Sequence, residues 1–406
     1  MVLSKKKIDL MQLILLLTIS FLGQITINMV NLDVVYHLRA IFHMPAGLIG
    51  IAVGVSAISF CIACLTLLGF LSKFRPRNVI MCGFLFLGLT TAVFAKTTNQ
   101  ALVWVILVLF GAFQAFIWTY IESWIIRGKE GKELNKVLML FNLSWSLGTG
   151  ISPYICTVLV EKNTFLPLQV SAFMFFIVAC ILFVVSTLFP QIRSVDGEKT
   201  YIAKSEEKDH STPLRYFAWV GIFLGYLALT GVQTAFPLYA GEVLHWSEST
   251  TGVLLLVRGV ASCFLFIFLG QTVFWHFKLS HLLFAQIAIA LLLFAFKDIT
   301  SFVPLVFFFL FLGIFYAVTY VESIFHGASG ALDRAKRMNY HEVILNIGII
   351  AGGACGGTLY QHFGYPSMME VTAIILAVSV LIQIFVYQWF MKKKRYVRLQ
   401  TETEKR

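Results

Sequence analysis

Runs of apolar residues, each about 20 long, succeed one another along the whole chain, parted by short polar segments. A helix of that length crosses the roughly 30 Å hydrocarbon core of a bilayer. The pattern predicts twelve such spans, over residues 8–33, 46–72, 78–95, 100–126, 136–160, 167–190, 214–240, 249–275, 279–296, 301–326, 338–361 and 366–391. One hydrophilic run is longer than the inter-span loops: Gln191–Thr212, rich in Glu, Asp, Lys and Ser. It divides an N-terminal six-helix bundle (1–190) from a C-terminal one (213–391), and a basic tail (392–406) follows.

The two sets of spans look like copies. Thr119-Tyr120-Ile121-Glu122-Ser123 in span 4 returns 200 residues later as Thr319-Tyr320-Val321-Glu322-Ser323. Phe21-Leu22-Gly23 matches Phe223-Leu224-Gly225, Gly69 matches Gly270, and Asn142 with Gly148 matches Asn346 with Gly352 at an offset of 204. Matches in order at near-constant spacing predict a duplication, and six spans per copy make the repeat parallel.

Composition supports the membrane reading. Of 406 residues, 59% are hydrophobic and 13% charged, too few charges to cover a soluble protein of this size. The fold class is therefore an all-α polytopic membrane protein. A net charge of +11 would suit a nucleic-acid partner, but its distribution argues otherwise. With the N-terminus inside, 26 Lys and Arg fall on the inner side; Arg39, Lys96, Lys162 and Lys297 fall outside, and Arg258 lies within a span. That is the positive-inside pattern, which predicts both termini in the cytoplasm, a multi-pass protein of the cell (inner) membrane, and no nucleic acid. All seven cysteines lie in apolar spans, so no disulfide framework is implied. Lys5-Lys6-Lys7 before an apolar run resembles a signal peptide, but the run continues towards Val30, which favours an uncleaved first span.

The layout resembles the major facilitator superfamily over essentially the whole chain. The resemblance rests on the six-plus-six arrangement, the basic loop 2–3 and the glycines of spans 5 and 11. The family's loop signature, G-x-L-x-D-R-x-G-R-R, reads here Gly69-Phe70-Leu71-Ser72-Lys73-Phe74-Arg75-Pro76-Arg77-Asn78. Gly69, Leu71 and Arg77 match, whereas Lys73 replaces the acid and Pro76 the glycine. The resemblance implies two bundles rocking about a central site, with spans 1, 4, 7 and 10 around the substrate path.

Three polar faces are candidates for that path. Span 1 sets Gln24, Asn28 and Asn31 at i, i+4 and i+7; span 7 sets Tyr226, Thr230 and Gln233 likewise; span 4 sets Gln114, Trp118 and Glu122 at i, i+4 and i+8. Polar stripes facing lipid would leave hydrogen bonds unmade, so they face protein or a wet cavity. A mid-span carboxylate costs roughly 2.5–3.5 kcal/mol on insertion scales. Glu122 and Glu322 are accordingly the candidate proton-coupling groups, against the alternatives of a bond to Tyr120 or Tyr320 or a place near the inner interface. Arg258 needs an anion, either a protein carboxylate or a substrate group. His341-Glu342 reads as a helix cap or a partner of the adjacent basic loop, and Asp33 as an interfacial acid. Span 5 carries Ser144, Gly148, Ser152 and Cys156, and span 11 Gly348, Gly352 and Gly356, small residues that let helices approach closely. In the resembled fold these helices cross to the opposite half.

No Walker loop, nucleophile elbow or metal-spaced His cluster appears in the sequence, so no enzyme, cofactor or metal is expected. The expectation is a monomeric secondary transporter moving a small amphipathic solute with protons. Trp118, Tyr120, Tyr226, Tyr316 and Tyr320 would stack on that solute. Export is slightly favoured over nutrient uptake; a lipid flippase and a non-transporting sensor or scaffold are the rivals.

Overall fold

A computed structural model describes residues 5–71, 73–125, 131–189, 211–331 and 334–404, and the described residues hold no strand. The helices are α1 (Lys5–Ala40), α2 (Ala46–Thr66), α3 (Leu68–Leu71), α4 (Pro76–Phe94), α5 (Gln100–Gln114), α6 (Trp118–Ile125), α7 (Gly131–Lys162), α8 (Leu166–Leu188), α9 (Leu214–Glu242), α10 (Glu248–Gly270), α11 (Leu279–Phe296), α12 (Phe302–Ala328) and α13 (Arg334–Glu404). Ten of them contain a stretch long and apolar enough to cross a membrane, and α5 is a shorter apolar helix. Their outer surface carries large apolar side chains such as Leu65, Phe264, Leu291, Leu381 and Phe385, a covering suited to lipid.

Three elements depart from the predicted spans for identifiable reasons. α1 continues past residue 33 to Ala40 because the polar residues that end its apolar run, Asp33 and His37, are fully buried inside the protein. Span 4 is broken: the Ala115, Phe116 and Ile117 amides donate to carbonyls three residues back, a 3₁₀ turn that separates α5 from α6. Spans 11 and 12 are two helices that follow one another with no loop between them, α13 breaking at Gly364 (φ 80°, ψ 171°), a conformation that needs glycine, with Pro366 just beyond. Starts are set by side chains where one is available. Asn99 Oδ1 accepts from the Ala101 and Leu102 amides at α5, and Ser247 Oγ from the Thr250 amide at α10.

Two hydrophobic cores form, one drawn mainly from α1–α8 and one mainly from α9–α13. Within the first set, α7 lies on α1; within the second, α13 lies on α9. Across the sets, α7 packs on α10 and α13 on α2.

The small residues of α7 do not all face the opposite set, as expected from the resemblance. Ser144 Oγ, Ser152 Oγ and Cys156 Sγ donate to the α1 carbonyls of Leu17, Ile25 and Met29, and Gly148 abuts the carbonyl of Phe21. In α13, Gly348, Gly352 and Gly356 abut Phe223, Leu227 and Gly231 of α9 in the same way. Contact for contact, Gly148 therefore answers Gly348 at an offset of 200, not Gly352 at 204. Another pair recurs: Gly111 lies on the carbonyl of Ser56, and Gly313 on that of Arg258, each shifted by 202 residues. Other glycines make the cross-set seams, Gly150 meeting Gly259, Gly353 meeting Gly50, and Gly357 meeting Ala46. Residues one or two apart on a helix point roughly 100° or 200° apart, so neighbouring glycines serve different seams.

The Ala40 end of the bundle is tied across the sets. Arg39 Nε meets Glu242 Oε1 at 2.7 Å, the Tyr360 hydroxyl donates to Glu242 Oε2 at 2.9 Å, and the Gly47 amide donates to Gln361 Oε1 at 2.9 Å. A cavity of about 380 Å³ opens beside this tie, with Tyr36, Glu161, Trp246 and Glu248 among its walls.

Candidate functional site

The glycine contacts set the geometry of the middle of the molecule. Because Gly313 has no side chain, α12 lies directly on α10 at Arg258, and Ser262 Oγ donates to the Gly313 carbonyl at 2.9 Å. Gly348 sits against the Tyr226 Cβ and so fixes where α9 presents that ring. Gly150 and Gly259 bring α7 of the first set against α10.

Five helices then converge on one aromatic stack. The Tyr316 hydroxyl donates to the Tyr226 hydroxyl at 2.6 Å, with ring centroids 5.2 Å apart and nearly perpendicular. One turn further along α12, Tyr320 stands 5.5 Å from Trp145 of α7 and 5.5 Å from Phe266 of α10. His341 of α13 lies 5.2 Å from Tyr320 and hydrogen-bonds Ser323 Oγ through Nδ1 at 2.8 Å. Trp145 Nε1 is held by Asn142 Oδ1 at 3.0 Å. Arg258 is 2% exposed, and its Nε and Nη2 have no hydrogen-bond partner among the described residues. The titratable side chains that act on it are Tyr316, Tyr226 and Cys263. A buried cation, two hydroxyls and an aromatic enclosure at the meeting of both sets can hold a small organic molecule.

The sequence model of the Major Facilitator Superfamily matches residues 16–331. The chain belongs to the major facilitator superfamily. Solved structures of similar shape include the human organic anion transporter MFSD10 (TETRAN), with a TM-score of 0.65 and 13% identity, over 93% of this chain and 99% of that one. A mutant of the peptide transporter POT gives a TM-score of 0.71 at 12% identity, over 96% of this chain and 99% of that one. At these identities the likeness is one of fold. A search of curated proteins by sequence returns no match.

In this superfamily member, the structure brings together Tyr226, Arg258, Tyr316 and Tyr320 of the predicted residues. Gln24 and Asn28 lie one step away, where α1 meets α7. The Gln24 Cβ touches Gly148, and Asn28 Nδ2 reaches Thr149 Oγ1 at 3.5 Å, which in turn bonds the Trp145 carbonyl. Thr230 is buried and Gln233 half-buried further along α9. Asn31 is exposed, so the α1 stripe does not share one environment.

The span-4 stripe does not survive as drawn. Three residues of 3₁₀ geometry turn α6 by roughly 60° relative to a straight helix, since each advances about 120° instead of 100°. Trp118 packs on the N-terminal core and Tyr120 is buried in it. The side chain of Glu122 lies outside the described residues. Glu322 is 1% exposed with neither oxygen partnered, but it stands on the face of α12 away from Tyr320, since residues two apart differ by roughly 200°.

Several residues carry more than sequence reasoning assigned them. His341 is 1% exposed and part of the stack, not a helix cap. Asp33 is fully buried with both oxygens unpartnered, not interfacial. His37, one turn on, is enclosed by Phe42, Phe94 and Phe165. The i, i+4 spacing of Asp33 and His37 was the available signal. Trp145 and Phe266 had none, because an aromatic in an apolar span looks like any core residue.

Proposed function

We propose that this superfamily transporter moves a small amphipathic organic solute by alternating access, is driven by protons, and favours export. The observation that carries the reading is the Tyr226–Tyr316–Tyr320–Trp145 enclosure at the junction of the two helix sets. Counting α5 with α6 as one broken crossing and α13 as two gives twelve crossings in two six-helix bundles. The recurring Gly148/Gly348 and Gly111/Gly313 contacts support a pseudo-two-fold relation along the membrane normal. The bias of Lys and Arg to one side supports a reading in which both termini are cytoplasmic and the protein lies in the cell membrane, which would put the Arg39–Glu242–Tyr360 tie outside. The molecule would then be closed on the outside and would open by parting the Gly50–Gly353 and Gly150–Gly259 seams.

Protons would be carried by buried carboxyls. Asp33 and Glu322, one in each set, have no hydrogen-bond partner among the described residues, and Glu122 stays a candidate. An ionised group so placed is costly, which drives protonation whenever it is closed off from water. The test is purified protein in liposomes with entrapped pyranine, challenged with a panel of aromatic carboxylates, aromatic amines and dipeptides. The similarity to an organic anion transporter and to a peptide transporter puts the first and last of these in the panel. A solute-dependent lumenal pH change that Glu322→Gln or Asp33→Asn abolishes is expected. Solute movement with no pH change in wild type rules out proton drive.

One observation favours a second reading. An apolar groove of about 290 Å³ lies between α10 and α12, lined by Ala261, Phe264, Leu265, Phe268, Leu310 and Ile314, and would accept an acyl chain. Movement of a headgroup-labelled lipid between leaflets, without solute flux, would select it.

A further inference from the structure

We infer that Arg258 is the recognition point for an organic monoanion, an aromatic carboxylate or sulfonate, whose ring lies among Tyr226, Tyr316, Trp145, Phe266 and Tyr320. This rests on the transporter reading and adds the substrate's charge and shape.

A guanidinium in the middle of a span has three resolutions, and the structure eliminates two. Arg258 is the eleventh residue of the 23-residue α10, roughly 15 Å along the axis from either end, beyond the reach of its side chain to an interface. At 2% exposed it does not snorkel. Among the described residues it is not half of an ion pair either: Nε and Nη2 have no partner there, and no carboxylate is among the described groups that act on it. The buried acids stand elsewhere. Asp33 is on α1 near Tyr36 and Cys156, and Glu322 is on the face of α12 away from Tyr320; the side chain of Glu122 lies outside the described residues.

Packing does not ask for the charge. The contact at this point needs only a carbonyl beneath Gly313, and the recurring contact beneath Gly111 is made by Ser56. An unpaired buried charge destabilises the molecule, so its retention fits a partner that arrives with the ligand. Two donors converge there. Nε and Nη2 are unspent, and the Tyr226 hydroxyl, which accepts from Tyr316, keeps its own proton for a ligand oxygen. From Arg258 to Phe266 the helix advances roughly 12 Å, and aromatic side chains from α7, α9, α10 and α12 line that interval. A flat ring bearing one anionic group has the length and chemistry to bridge Arg258 and these rings once the two sets part.

The test compares naphthalene-2-carboxylate with naphthalene-2-carboxamide on the purified full chain, by thermal denaturation and by counterflow in liposomes, with sodium chloride and sodium phosphate as ion controls. The carboxylate should raise the wild-type melting temperature and act at least tenfold more strongly than the amide. Arg258→Met should abolish that response while raising the melting temperature of the unliganded protein, which a structural arginine would not do. Tyr226→Phe, which removes the hydroxyl that would donate to the ligand, should weaken the response several-fold and serves if Arg258→Met fails to fold. Equal responses to acid and amide, a carboxylate response retained in Arg258→Met, or stabilisation by chloride or phosphate alone would each overturn the inference. Counterflow of the amide but not the acid would overturn it while leaving the transporter reading standing. Absence of any response to the acid by either method also overturns it.

Discussion

α7 has two working faces, and they do opposite jobs. One places Ser144, Gly148, Ser152 and Cys156 on successive carbonyls of α1, three of them making hydrogen bonds. The other places Gly150 against Gly259 of α10, glycine on glycine with no side-chain bond between them. The first face joins helices of one set through directional bonds; the second lets two sets touch without committing them to one arrangement. α13 repeats the division, with Gly348, Gly352 and Gly356 on α9 and Gly353 with Gly357 on α2. The proposed alternating access would use both kinds of contact on the same helix. Close packing of small residues holds in lipid because it gains dispersion energy, and without hydrogen bonds it can part at modest cost.

Substitutions at the two faces should separate these roles. Gly148→Leu, directed at the Phe21 carbonyl inside the first set, is expected to have the largest effect on folding. Overpacking typically costs about 1–3 kcal/mol, and a backbone neighbour has little room to yield. It should sharply lower the melting temperature and the monodisperse yield; a yield equal to wild type would mean that the α1–α7 face is not what holds the set together.

Gly353→Leu, directed at Gly50 across the seam, should cost clearly less in melting temperature because each set keeps its own core. Its signature is opening. A cysteine at the buried seam position Thr157, which faces Gly252, should react several-fold faster with an impermeant maleimide in the Gly353→Leu background. Unchanged reactivity with a large loss of stability would erase the distinction between the faces.

The smallest effect is expected at the exposed tie. Glu242→Gln removes the Arg39 ion pair, whose side chains are 43% and 36% exposed, and such pairs contribute roughly 0–1 kcal/mol, less in high salt. Melting should barely shift, while Thr157→Cys labelling rises modestly at low ionic strength and not at high. A salt-independent rise would assign the tie to Tyr360 and Gln361 instead.

Much of the fold was legible from residues alone, and the reasons are local. Spans could be placed because lipid demands long apolar helices, and the Tyr120 and Tyr320 pentapeptides suggested a repeat before any contact was known. The site was legible in pieces. Tyr226, Tyr316, Tyr320 and Arg258 were singled out as polar or charged exceptions to apolar spans. Trp145 and Phe266 were invisible because nothing polar marks them. His341 was misread because the basic loop beside it offered a nearer explanation than Ser323, eighteen residues back on another helix. The 204-residue offset for spans 5 and 11 failed for a similar reason: identical letters were matched where equivalent contacts lie four residues away.

What the sequence by itself determined is the set of apolar helices, the charge bias of their loops and the presence of a few ionisable side chains among them. These follow from transfer energies that each segment carries wherever it is placed. The tertiary structure alone decided which face of each helix meets lipid, its own set or the other set. A helix interior and a lipid tail are equally apolar, so hydropathy cannot tell them apart. For the same reason only the assembled chain shows that Arg258 has no counter-ion among the described residues and that Asp33 is enclosed, since a charge's partner is a matter of distance in space.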